Sequence, residues 1–87
     1  MVIYKYELDI KNNQKIEMPE VHEILCVKSQ RGRICLWALV DPTSMPVAKD
    51  FCVFGTGHTV SKKLDRKYIG TCMTHNDQCV WHVFEVI

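Results

Sequence analysis

Apolar and polar residues alternate at period two along most of this chain, and no window of eleven or more residues carries a 3.6-residue apolar period. Side chains two apart share one face of a strand, whereas a helix needs apolar neighbours three and four apart. The pattern therefore predicts an all-β fold, or one nearly so. About six mainly antiparallel strands are expected, packed as a small sandwich or half-open barrel.

The expected order follows from the breakers. A first strand covers 2–8, and a polar stretch then leads to Ile16-Glu17-Met18-Pro19, where proline marks an edge or an exit. Residues 23–29 and 33–41 form a hairpin about Gln30-Arg31-Gly32-Arg33. Within it, residues 34–40 are apolar on both faces, which predicts a central strand covered on both sides. Asp41-Pro42 ends that strand, and residues 43–48, with Met45-Pro46 in the middle, read as an edge loop. A strand over 49–54 follows. Residues 61–66 could make one short helical turn with Ser61 as N-cap. A last hairpin pairs 67–74 with 79–86 around His75-Asn76-Asp77-Gln78.

With 87 residues, the chain has room for one core, so a single domain over 1–87 is expected. A net charge of +1 sets up no field that would draw the molecule onto nucleic acid, nor an acidic surface that would mimic it. The opening Met-Val-Ile-Tyr-Lys-Tyr lacks the basic and apolar regions of an export signal, and no apolar run is long enough to span a bilayer. The five cysteines, Cys26, Cys35, Cys52, Cys72 and Cys79, are odd in number and lie in apolar alternating runs. They are expected as free thiols packed as small hydrophobes in a reducing cytoplasm.

Cys72, His75, Cys79 and His82 have zinc-like spacing. With Asn76-Asp77 as the turn, however, Thr74 opposes Cys79, Cys72 opposes Trp81, and Thr71 opposes His82. Both cysteines then fall on one face and both histidines on the other, so no tetrahedral site can form. His82 reads as a hydrogen-bonded sheet histidine, His75 as solvated, and Trp37 and Trp81 as core residues, with Trp81 inward. No nucleophile elbow or paired carboxylates appear, Cys52 and His58 are linked by spacing alone, and a non-enzyme without cofactor or metal is expected.

The best candidate for a working surface is Gly55, Thr56, Gly57 and His58, a glycine loop fed directly by an apolar strand. Its N–H groups, with Lys62 and Lys63 nearby, resemble an anion nest, although a bulge or tight corner accounts for two glycines equally well.

Five tags, Ile16-Glu17-Met18-Pro19, the run from Cys35 to Pro42, Phe54-Gly55-Thr56-Gly57-His58, Tyr68-Ile69-Gly70-Thr71 and Trp81-His82-Val83-Phe84-Glu85-Val86, resemble a family of short tailed-bacteriophage and prophage proteins filed as a domain of unknown function. Cys72, Cys79 and the His22-Glu23 pair depart from that pattern. The resemblance implies an accessory protein acting in the host bacterial cytoplasm by binding and inhibiting a host defence component, for example a CRISPR effector. Two alternatives stand beside it: a module that sequesters a phosphorylated or nucleotide signal at the glycine loop, and a virion or assembly component. A host protein is the expected partner, a homo-oligomer is open, and neither membrane nor direct nucleic-acid contact is expected.

Overall fold

In the computed structural model, which describes residues 1–62 and 65–87, the period-two tracts become seven strands and the described residues contain no helix. They are β1 (Val2–Leu8), β2 (Gln14–Pro19), β3 (His22–Gln30), β4 (Arg33–Val40), β5 (Pro46–Gly55), β6 (Arg66–Thr74) and β7 (Cys79–Val86). All pairings are antiparallel, in one sheet of order β1-β4-β3 and a second of order β2-β5-β7-β6. The fold is a small two-sheet structure and not a closed barrel.

The strand absent from the count of six is β2. Its alternation is half charged, yet Gln14 and Met18 are buried and Ile16 packs on the core, while Lys15 and Glu17 face water. Gln14 also closes the crossover from β1: its Oε1 accepts from the Asp9 N–H at 2.8 Å and its Nε2 donates to the Asp9 carbonyl at 2.8 Å. A second correction concerns residues 43–48, which do not all form a loop. Strand β5 begins at Pro46, opposite Pro19, a strand-end position where a missing N–H costs no ladder bond. The proposed helical turn over 61–66 includes Lys63 and Leu64, which lie outside the described residues, and Arg66 already opens β6.

Strand β4 is central in its sheet as expected, but it is not covered on both sides, since Trp37 and Leu39 on its outer face are only half-buried. Ile34, Leu36, Ala38 and Val40 turn inward onto Leu8, Met18, Val27, Phe51, Val53, Cys72 and Val83, with Trp81 packed at the margin. Trp37 is not among them. It is half-buried and pairs with Lys5 and Cys26 on the outer side of its sheet, because it alternates with Leu36 and Ala38.

The two sheets approach each other along β3 and β6. Each strand carries an irregularity there, between Ile24 and Cys26 and between Tyr68 and Gly70, and Gly70 lies against Val27. A bulge bends its strand and interrupts pairing, which suits edges that must pack without sharing a ladder.

The β6-β7 turn delivers the expected register: Thr74 opposes Cys79, Cys72 opposes Trp81 and Thr71 opposes His82. Three successive left-handed residues, His75, Asn76 and Asp77, with φ of 56°, 55° and 65°, reverse the chain.

Candidate functional site

The apolar run of β5 ends in a tight turn made by Gly55, Thr56, Gly57 and His58. The His58 N–H donates to the Gly55 carbonyl at 3.1 Å, closing a four-residue β-turn. Gly57, its third residue, has φ +90°, a left-handed value that favours glycine. Gly55 serves a different need. The His58 imidazole folds back so that Nδ1 accepts the Gly55 N–H at 3.1 Å, and its Cε1 would lie 2.8 Å from any Cβ added to Gly55. The ring also stands edge-on to Trp81 with centroids 6.4 Å apart. The Thr56 N–H extends the ladder to the Val80 carbonyl at 3.2 Å. Three of the four loop N–H groups, those of Gly55, Thr56 and His58, are thus engaged within the fold.

The Thr56 side chain connects the turn to the outer face of the β5-β7-β6 sheet. Its Oγ1 lies 2.8 Å from His82 Nε2, His82 Nδ1 lies 3.1 Å from Thr71 Oγ1, and Thr71 Oγ1 lies 2.6 Å from the Tyr68 hydroxyl. Since every partner of the imidazole is a hydroxyl, which can donate or accept, either neutral tautomer satisfies the chain of bonds. Beside it, Phe84 meets Phe54 and Tyr68 edge-on, with centroids 6.1 and 5.7 Å apart. Arg66 sits over the Phe54 ring at 5.6 Å and donates through Nη1 to the Ser61 carbonyl, tying the segment after the turn to the sheet. Tyr68 and Met73 remain well exposed on β6, at 56% and 47%. The result is a face of fixed aromatic and hydrogen-bonding side chains, the composition that dominates energetically important positions at protein interfaces.

Of the candidate residues taken from sequence, Gly55, Thr56, Gly57 and His58 come together in one turn. Lys62 is exposed on the segment beyond it, and Lys63 lies outside the described residues. An open depression of about 410 Å³ beside the turn is lined by Gly55, Thr56, His58, Cys79, Val80 and Trp81.

Sequence reasoning did not assemble Arg66, Tyr68, Thr71 and His82 into a site. The register placing Thr71 opposite His82 was available from the hairpin. The missing piece was the non-sequential pairing of β5 with β7, which sets Phe54 opposite His82 and so brings Thr56 diagonally within reach.

The cysteine and histidine set does not gather. Cys72 packs in the core, and His82 is bonded on the outer face. His75 was expected to share the face of His82. It lies in the turn and is exposed, as the reading of a solvated His75 expects, with Nδ1 2.8 Å from Thr74 Oγ1. All five cysteines are free. Burial pushes the Cys35 and Cys72 thiols above their ordinary range. His22, on the opposite side of the sheet, has Nδ1 2.7 Å from the Pro19 carbonyl and Nε2 3.8 Å from Glu85, which also meets Lys49 at 3.6 Å.

Thr56 and His82 have the spacing of a nucleophile and its base. The second imidazole nitrogen, however, meets the neutral Thr71 hydroxyl rather than a carboxylate, so this arrangement supplies no charge to stabilise an imidazolium.

A family model described as Domain of unknown function (DUF7352) matches residues 1–87. The chain belongs to that family. Neither a curated protein nor a solved structure matches it.

Proposed function

We propose that this member of the family is a non-catalytic binding module that docks on a partner protein through the outer face of β5, β7 and β6, with the Gly55 to His58 turn at its margin. One observation carries the reading: the hydrogen-bonded series Thr56, His82, Thr71, Tyr68 holds an exposed tyrosine beside a fixed aromatic pair. Side chains ordered before contact lose less entropy on binding, and Tyr and Arg are the residues that most often anchor such contacts. The sequence tags make a component of a bacterial antiviral defence system, met in the host cytoplasm, the partner to test first.

The ligand-sequestering alternative needs free loop donors. Its support is weaker, because three of the four N–H groups it would use already have acceptors.

The test is a plaquing assay on bacteria that express a defined CRISPR or restriction system together with this protein. The reading expects defence to be relieved by the unaltered chain and restored by Tyr68→Ala, with purified Tyr68→Ala still folded by circular dichroism. Failure to relieve any system, combined with saturable nucleotide binding by calorimetry that His58→Ala or Lys62→Ala abolishes, supports the alternative instead.

A further inference from the structure

A free sheet edge presents unpaired backbone N–H and C=O groups, and folded chains protect such edges with prolines, bulges, charges or a covering segment. Among the described residues, three of the four edges carry a proline or a bulge. Strands β3 and β6 each carry a bulge and lie against each other at Val27 and Gly70. Strand β2 is six residues long and ends in Pro19.

Strand β1 is different. It pairs with β4 over seven residues with no register shift, contains no proline, and leaves Val2, Ile3 and Tyr4 exposed at 41%, 60% and 43%. Both faces of its first half are therefore apolar and accessible, while its second half carries exposed Lys5 and Glu7, which meet Gln30 and Arg33 of the same chain at 2.8 and 3.3 Å.

We infer that two copies of the chain pair antiparallel along β1, joining the three-stranded sheets across a twofold axis. The charge pattern selects both the occupant and the register. With Tyr6 facing its own copy, Lys5 falls opposite the partner's Glu7, Glu7 opposite the partner's Lys5, and Tyr4 opposite the partner's Leu8. Opposite charges directly across an antiparallel pair stabilise it and like charges weaken it. Centring the axis on Lys5 sets two ammonium groups against each other, and centring it on Tyr4 leaves Lys5 facing Ile3. A self-complementary strand of this kind fits the isologous interface of a twofold dimer. The outer β5-β7-β6 face belongs to the other sheet, so each copy keeps its proposed partner surface.

The test uses the full chain in sedimentation equilibrium up to millimolar concentration, with charge-swap variants. The unaltered protein dimerises. Lys5→Glu sets two carboxylates against each other in the dimer, Glu7→Lys sets two ammonium groups against each other, and each weakens self-association about tenfold or more. An equimolar mixture of the two single variants restores opposite charges, so a tagged Lys5→Glu chain retains untagged Glu7→Lys chain on a column. Hydrogen exchange on the unaltered protein gives a reading independent of variant folding: β1 amides gain protection as concentration rises. A monomer at every concentration, a dimer indifferent to both swaps, variants that fail to pair when mixed, or β1 amides protected only when another protein is added would each overturn the inference.

Discussion

The imidazole of His58 occupies the space a side chain on Gly55 would fill, and its Nδ1 accepts the Gly55 N–H at 3.1 Å. The two glycines of this turn therefore have separable roles. Gly55→Ala displaces an exposed ring and breaks one hydrogen bond, a loss of about 1 kcal/mol in urea unfolding. Gly57→Ala meets no atom within 4 Å, yet forces a non-glycine residue to φ +90° and costs about 1–2 kcal/mol. Because His58 stands against Trp81, Gly55→Ala also shifts the tryptophan emission, whereas Gly57→Ala changes it less. Equal emission changes in both variants would contradict this division of roles.

The junction between the sheets offers a stricter test. A Cβ on Gly70 would lie 2.7 Å from the Cβ of Val27, a buried residue on the facing strand, and 3.1 Å from its Cγ2. Neither can swing aside as His58 can. Gly70→Ala is expected to cost about 1–3 kcal/mol, the range for overpacking a filled core. The nearest obstacle is a Cβ, so adding Val27→Ala does not relieve the clash, whereas Val27→Gly does. Double-mutant cycles by chemical denaturation check this. A larger favourable coupling with Val27→Ala than with Val27→Gly would show that the strands meet differently.

Much of the fold was legible in the sequence because alternation speaks directly about strands. The β6-β7 register could be read from Asn76 and Asp77 alone, and the central position of β4 from its apolar residues on both faces. Strand β2 was obscured because Gln14 and Lys15 read as part of a polar connection, whereas pairing with β5 makes this segment a strand with Gln14 and Met18 buried. Trp37 reads as core because tryptophan more often is, although its alternation with Leu36 and Ala38 places it on the outer side. The site was half legible. His58 and the glycines stood out as a motif, but the contact of Thr56 with His82 depends on strands β5 and β7 lying side by side, a pairing of distant segments that no local pattern specifies.

The thiols give a prediction about reactivity and pH. Cys35, Cys52 and Cys72 are buried, while Cys26 and Cys79 are partly accessible. In native buffer a thiol reagent should modify Cys26 and Cys79 first, and the other three only at the rate of unfolding. Burial raises Cys35 and Cys72 above an ordinary value of 9.0 and Tyr6 above 10.0. Between the unfolded and folded values the native state holds the extra proton, so the stability these thiols contribute is fully present below pH 9.0 and is lost as pH rises above it. Thermal melts between neutral and alkaline pH should show that decline. A midpoint that rises above pH 9.0 would contradict the assigned burial of these groups.

On the outer face, Tyr68 can be divided into a ring and a hydroxyl. Its ring meets Phe84 edge-on at 5.7 Å, a contact worth about 0.5–1.5 kcal/mol. Its hydroxyl meets Thr71 Oγ1 at 2.6 Å in an exposed position, where the net gain is about 0.5 kcal/mol. Tyr68→Phe should therefore leave the melting temperature nearly unchanged, and Tyr68→Ala should lower it. Thr71→Val keeps the shape but removes the hydroxyl that links His82 to Tyr68, so the imidazole loses its bond at Nδ1 and keeps the one to Thr56. In NMR, Tyr68→Phe and Thr71→Val should both shift the His82 ring resonances, the second more strongly, while those of His22 stay in place. If the His82 signals ignore Thr71→Val, the series of bonds that orders this face does not exist in solution, and the face loses its claim to be prepared for a partner.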